Sequence, residues 1–299
     1  MNVLEAIKSR PLVGDGAMGT QLMYAGLEQG GCGEAWNLHE PEKVLKIQRS
    51  YVEAGSDCII TNTFGGSTIM LNRHRQKNNC AEINGAAVAI AREAFGGKPG
   101  YVLGDIGPFG GIMEPYGEIP AADVKASFEV QAKALVEAGA DAIIIETQTA
   151  LEELALAVNA AREAGAAIII GSLAYDVTTD GSTFRTMMGV DPERAAEFMA
   201  EIGVDILALN CGTGMDMARA LEAVKRYRSV SDLPVMAQPN AGLPVLENLK
   251  VIYKETPEEM VAGLPALLEA GANIVGGCCG STPEHIAAFR KAVDAFAKA

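Results

Sequence analysis

Glu53-Ala54-Gly55-Ser56-Asp57-Cys58-Ile59-Ile60-Thr61 carries a complete change of secondary structure in one short stretch. Glu53-Ala54 reads as the last turn of a helix, and Gly55 as the left-handed residue that stops it. Cys58-Ile59-Ile60 then reads as a strand apolar on both faces, the pattern of a buried parallel sheet. The same order returns in Glu137-Ala138-Gly139-Ala140-Asp141-Ala142-Ile143-Ile144-Ile145 and in Glu269-Ala270-Gly271-Ala272-Asn273-Ile274-Val275-Gly276. A refrain of helix end, glycine and buried strand marks a repeating β/α chain.

Working outward, eight apolar runs qualify as strands: Leu12–Gly14, Cys58–Thr61, Tyr101–Gly104, Ala142–Ile145, Ala167–Gly171, Asp205–Leu209, Leu233–Ala237 and Asn273–Gly276. Helical periodicity fills the spaces between them, over Glu42–Ala54, Ala81–Phe95, Ala122–Ala138, Leu151–Ala164, Pro192–Ile202, Met215–Ser229, Pro257–Ala270 and Pro283–Lys298. Proline opens three of these helices, where its missing N–H costs nothing. Eight strand–helix units in a chain of 299 residues predict an α/β fold of the (β/α)₈ TIM-barrel type. The rival is a doubly wound sheet, which carries a Gly-rich fingerprint after its first strand. Here that place holds Gly14-Asp15-Gly16-Ala17-Met18-Gly19-Thr20, whose spacing differs and whose Asp15 would oppose a pyrophosphate. Leu27–Trp36 and Gly107–Pro120 read as loop insertions. No linker or composition shift divides the chain, so residues 1–299 are expected to form one domain.

Composition narrows the function. A hydrophobic share of 49% supports a large core, and a net charge of −14 with no Lys/Arg-rich run argues against nucleic-acid binding. The apolar runs are too short to span a membrane, and the N-terminus does not read as a signal peptide. A cytoplasmic setting is therefore expected, in which the six cysteines are free thiols or metal ligands rather than disulfides.

In a barrel, the chemistry collects at the C-terminal ends of the strands. Those ends carry Asp15, Thr61-Asn62-Thr63, Asp105, Glu146-Thr147, Ser172, Asn210-Cys211, Gln238 with Asn240, and Cys278-Cys279. Such convergence of polar groups and thiols predicts an enzyme. Cys211 follows strand six and Cys278-Cys279 follow strand eight, near enough across the mouth to converge. Three sulfurs with one open position describe a catalytic zinc site, because thiolates favour zinc over magnesium or calcium. A substrate thiol in the open position would lose its proton near neutral pH. A Cys-Cys pair also suits simple core packing, and spacing alone leaves both readings open.

Cys32, Cys58 and Cys80 lack such a context and read as structural. Glu146 closes an apolar run, so it is expected either to pair with a substrate ammonium group or to serve a structural ion pair or helix cap. Asp15, between two glycines, caps a helix or leaves backbone N–H groups free for a carboxylate. The three histidines fall away from strand ends and are expected at the surface.

Taken in order, Gly14-Asp15-Gly16-Ala17-Met18-Gly19-Thr20, Thr61-Asn62-Thr63-Phe64-Gly65, Glu146-Thr147, Asn210-Cys211, Pro239-Asn240-Ala241-Gly242 and Gly276-Gly277-Cys278-Cys279-Gly280-Ser281-Thr282-Pro283-Glu284-His285 resemble the homocysteine S-methyltransferases. Within that family the Thr-Asn-Thr-Phe-Gly and Pro-Asn-Ala-Gly stretches look most like the homocysteine module of cobalamin-dependent methionine synthase. The resemblance implies a zinc barrel with Cys211, Cys278 and Cys279 as ligands. It places the amino-acid end of homocysteine at Asp15, Gly16 and Glu146, with Thr63 also on the substrate side. It puts Asn240 close to the metal, where it can fill the fourth position when substrate is absent.

The implied reaction is transfer of a methyl group to the homocysteine thiolate, giving methionine. Methylcobalamin on a separate corrinoid domain or protein is the expected donor. The chain stops after the barrel, which fits an excised module or a free-standing protein that meets a corrinoid partner. S-methylmethionine or a betaine as donor, another thiol as acceptor, and a non-catalytic zinc-binding or corrinoid-protein scaffold are the rival readings.

Overall fold

The computed structural model describes residues 1–247 and 250–298. Eight parallel strands form a nearly closed barrel with helices between them: β1 (Leu12–Val13), β2 (Cys58–Ile60), β3 (Tyr101–Ile106), β4 (Ala142–Gln148), β5 (Ile169–Leu173), β6 (Ile206–Asn210), β7 (Val235–Gln238) and β8 (Ala272–Val275). Each strand pairs with its chain neighbour from β2 through to β8, and β8 then pairs with β1, Leu12 lying opposite Ile274. All eight expected strands are present, with ends moved by a few residues. β3 and β4 run on to include Asp105 and Glu146.

Side chains close the seam between β1 and β2. The Asp57 N–H donates to the Val13 carbonyl at 2.7 Å, and the Val13 N–H returns a bond to Asp57 Oδ2 at 2.9 Å. Higher on the seam the Ser56 hydroxyl donates to the Gly14 carbonyl, and Asp15 Oδ2 accepts from the Ile60 N–H at 2.8 Å. Arg10 and Arg290 both reach the Asp57 carboxylate. Burial alone would raise the Asp57 pKa, but the hydrogen bonds from Arg10 and Val13 and the two positive charges hold it below the usual range.

Alternation along the strands sorts the core into two shells. Leu12, Cys58, Leu103, Ile144, Ile170, Ile206, Ala208, Met236 and Ile274 fill the barrel interior. Their neighbours Ile143, Ile145, Leu207, Leu209, Val235 and Ala237 pack outward beneath the helices. A short N-terminal helix, Val3–Ala6, adds Val3, Ala6 and Ile7 to the interior cluster and so plugs the bottom of the barrel. Two residues beyond the last apolar layer, the same parity brings Asp105, Glu146, Ser172, Asn210 and Gln238 inward. The mouth is therefore polar because each strand's inward face changes character in its last step.

The helices follow the sequence with one exception. The expected helix Pro257–Ala270 is two pieces, Pro257–Val261 and Leu264–Glu269. Pro265 has no N–H to bond back to residue 261, and Gly263 sits where a Cβ would meet Met217 Cγ at 2.5 Å. Among the described residues no helix is long and apolar enough to cross a membrane.

Candidate metal centre and substrate cavity

The thiol of Cys211 is delivered by an unusual backbone. Residues after β6 turn at once: Cys211 has φ +57° and Gly212 φ +89°. No side chain fits at Gly212, where a Cβ would lie 1.8 Å from the Tyr175 carbonyl oxygen. Cys278 and Cys279 follow β8 on a loop that has left the strand at Val275, which frees two adjacent residues from pointing to opposite faces. The Cys278 N–H donates to the Pro239 carbonyl at 2.8 Å, and the Cys279 carbonyl accepts from the Ala241 N–H at 3.0 Å.

The three Sγ atoms lie within 4.8 Å of one another, and Cys211 and Cys279 are 3.7 Å apart. Thiolates at about 2.3 Å from a tetrahedral zinc stand about 3.8 Å from each other. The sulfur spacing and the all-thiolate donor set fit zinc. Hydrogen bonds from Cys211 and Cys278, with help from Tyr253, draw the Cys279 thiol down to about 3 despite its burial. A hydrogen bond with Cys278 pulls the half-buried Cys211 thiol down, but its hydrogen bond with Cys279, burial and the Cys279 charge outweigh it and push Cys211 up to about 12, while hydrogen bonds with the other two cysteines raise Cys278 well above its ordinary value. Without a cation the trio therefore favours a single thiolate, on Cys279, to which the other two thiols are hydrogen-bonded.

A shell of amides holds the trio. Asn210 Nδ2 donates to Thr147 Oγ1 at 2.8 Å and approaches Cys278 Sγ at 3.8 Å. Its Oδ1 accepts from the Thr147 N–H and the Ser172 hydroxyl. Thr147 has φ +59°, and the β4–β5 register shifts between Ile145 and Gln148. This bulge lets neighbouring Glu146 and Thr147 both face the same cavity. Asn240 ties the two cysteine loops together: its Nδ2 donates to the Gly212 carbonyl at 2.9 Å and its Oδ1 accepts from the Cys279 N–H at 3.1 Å.

Beside the thiols lies a cavity of about 370 Å³. Asp15, Gly16, Thr63, Glu146 and all three cysteines line it, whereas Asn240 stands behind the cysteine loops, outside the lining. Its wall holds four carboxyl groups, from Asp15, Glu34, Asp105 and Glu146, and no Lys, Arg or His among the described residues. Asp15 does not cap the following helix, Met18–Tyr24, whose N-terminal residue Ala17 carries no side-chain cap. Its carboxyl is instead buried on the Ile60 N–H, and burial raises it well above the usual range. Gly16 is required by contact, since a Cβ there would meet Ser281 Oγ and the Tyr51 ring at 2.8 Å. The Thr63 hydroxyl donates to the Asp105 carbonyl and shares a 2.6 Å bond with the Thr61 hydroxyl.

Glu146 forms no ion pair among the described residues, and the next helix is preceded by Ala150 rather than by it. Burial first, then the Cys279 charge, push its carboxyl up to about 7, while a hydrogen bond with Asp105 pulls it down. Of the other cysteines, Cys58 and Cys80 are buried, and Cys32 lies in its loop with its thiol on Glu34. His39 and His74 are exposed as expected. His285 is not: at 5% exposure it closes the capping box of the last helix, Nδ1 accepting from the Thr282 N–H and Nε2 donating to the Glu255 carbonyl. Its place three residues after Thr282, at the start of a helix opened by Pro283, was the signal for that role. Sequence reasoning also passed over Tyr253, which reaches the thiols from the hairpin that follows β7.

Residues 12–293 match the family described as homocysteine S-methyltransferase. Across 98% of its length the chain is 34% identical to the methionine synthase of Mycobacterium tuberculosis and 33% identical to that of Mycobacterium leprae. It spans about a quarter of the length of each of these relatives, 25% in both cases. The metallated form of the homocysteine methyltransferase MmuM from Escherichia coli superposes with a TM-score of 0.79 at 22% identity, over 97% of this chain and 98% of that one. The 3-dehydroquinate dehydratase of Geobacillus kaustophilus HTA426 superposes with a TM-score of 0.53 at 14% identity, over 96% and 91%. At these identities the two solved structures speak for the barrel alone.

Proposed function

The chain belongs to the homocysteine S-methyltransferase family, and from that premise we propose that it methylates the thiol of homocysteine to give methionine at a zinc held by Cys211, Cys278 and Cys279. The observation that carries this reading is the cluster of three thiols, spaced for one tetrahedral ion and opening onto a cavity of amino-acid size. Bound there, zinc would supply the positive charge that lets a substrate thiol ionise near neutral pH.

The protein's own groups do the rest. Asn210 donates toward Cys278 and restrains the charge of the ligand set, while Asn240 fixes the distance between the two cysteine loops. Glu146 accepts from the substrate's ammonium group, and the Asp15–Gly16 and Thr63 wall borders its amino-acid end. Leu22, Leu27 and Phe64 flank the cavity and cover the methylene chain. With the sulfur so oriented, it supplies the electron pair of the new S–C bond, and the donor's leaving atom keeps the pair of the broken one. The product sulfur carries no charge, which weakens its hold and favours release.

Methylcobalamin on a separate corrinoid domain or protein is the donor this reading favours. The identity to two methionine synthases four times as long supports it. Methionine formation is to be assayed with methylcobalamin, S-methylmethionine and betaine in parallel, beside metal analysis. Turnover with methylcobalamin alone is the expected result. Turnover with another donor would replace the donor, and bound zinc with no turnover would favour a scaffold. Cys211→Ser should lose stoichiometric zinc; tight zinc in that variant would overturn the ligand assignment.

A further inference from the structure

Four carboxyl groups face one cavity, and their hydrogen bonds divide them into two kinds. Asp15 is committed to the Ile60 N–H at 2.8 Å, and Glu34 to the Gly65 N–H at 2.7 Å. Both serve the fold. Asp105 and Glu146 accept from no backbone N–H among the described residues, and they stand side by side at the ends of the adjacent strands β3 and β4.

Asp105 is the more demanding of the two. It is 2% exposed, and its Oδ1 is buried without any hydrogen-bond partner. An orphaned carboxyl oxygen costs free energy unless something arrives to satisfy it. Its backbone, by contrast, is over-determined: the N–H donates to Thr61 Oγ1, and the carbonyl accepts from the Thr63 hydroxyl and Gln131 Nε2. The main chain is clamped and the carboxyl is left pointing at the cavity wall it lines. No cationic side chain lines that cavity among the described residues, so a positively charged partner for this carboxyl would come with a ligand.

We propose that Asp105 is a second acceptor for the α-ammonium group of the substrate, forming with Glu146 a two-carboxyl clamp that selects thiols bearing an amino group. This rests on the homocysteine reading above and adds to it the residue that sets amino-group specificity. The groups facing Asp105 are Glu146, Glu34 and Asp15, all acidic; burial first, and then their charges, hold its carboxyl well above the usual range. Two carboxyls side by side with no cation between them disfavour each other's charge. An entering ammonium group supplies that cation and gives the orphaned Asp105 Oδ1 its donor.

The test compares homocysteine with 4-mercaptobutyrate, which lacks only the amino group. In the wild-type protein kcat/KM should favour homocysteine strongly. In Asp105→Asn that preference should shrink about 10- to 100-fold, the worth of one charge-assisted bond, through KM more than kcat, with zinc content retained. An unchanged preference in a folded, zinc-loaded variant overturns the proposal.

A second measurement needs no variant. Calorimetry should show methionine binding about tenfold or more tighter than 4-(methylthio)butyrate, which lacks only the amino group. Equal affinity for the two ligands overturns the clamp. Because neither ligand carries a free thiol to accept a methyl group, this result stands apart from the activity. A protein that shows the amino-group effect and methylates nothing would sink the proposed reaction and leave the clamp.

Discussion

Asn210 makes four contacts with one amide: it accepts from the Thr147 N–H and the Ser172 hydroxyl, and donates to Thr147 Oγ1 and toward Cys278 Sγ. Groups that orient metal ligands in this way typically change metal affinity about 10- to 100-fold when removed. Asn210→Ala should weaken zinc by that factor in a chelator competition, and should cost about 1–3 kcal/mol of stability for the buried donors it orphans. Zinc affinity within twofold of wild type would show that the amide is a strut of the fold only. The residue itself was visible in the sequence, since Asn210 ends a strand next to a cysteine. Its partners were not. Thr147 reaches it only because of a left-handed backbone that no propensity encodes, just as the left-handed turn at Cys211 is imposed by packing. Asp105 was legible as a strand end, but its orphaned oxygen appears only once Asp15 and Glu34 are seen to be taken.

Among the elements, the glycine-closed turns separate local from tertiary causes. The refrain glycines Gly55, Gly139 and Gly271 all have positive φ, as their position after a helix predicts. A Cβ on Gly139 would meet nothing within 4 Å, whereas one on Gly212 would strike the Tyr175 carbonyl at 1.8 Å. Gly139→Ala should therefore cost only the backbone term, about 1 kcal/mol in a urea titration. Gly212→Ala must also move a strand end, which should cost about 3 kcal/mol or more and displace Cys211 enough to lose zinc. Equal costs would mean that the loop yields and that the thiol is not held by this turn. The helix read as continuous over Pro257–Ala270 shows both causes at once: Pro265 lacks the N–H that would bond to residue 261, and at Gly263 a side chain would run into Met217. Local patterns predicted the elements, and contacts from distant strands decided where they bend.

For the whole molecule, the barrel was legible because its strands are apolar on both faces and its helices recur between them, so burial leaves few alternatives. Its closure was not. The seam rests on Asp57, Ser56 and Asp15, polar residues whose role depends on which strand completes the ring. The balance of buried acids then sets how stability responds to pH. Glu153, outside the cavity, accepts from the Phe109 N–H at 2.8 Å, and burial pushes its carboxyl up to about 7. Its unfolded value is near 4.3, so between these values the folded protein binds a proton that the unfolded chain does not. That contribution is present at low pH and is lost as pH rises through 7. Asp57 acts in the opposite sense, because its folded value is lowered and its contribution fades only in strong acid. Stability should therefore climb as pH falls from 8 toward 5 before acid reverses it. Glu153→Gln keeps an oxygen for Phe109 and removes the titration. Relative to wild type, the variant should gain about 2 kcal/mol on going from pH 5.5 to pH 8 in denaturant titrations. The buried acids of the cavity keep the remaining slope in both proteins, so the comparison isolates Glu153. Parallel pH profiles for the two proteins would mean that Glu153 carries its charge in the folded barrel.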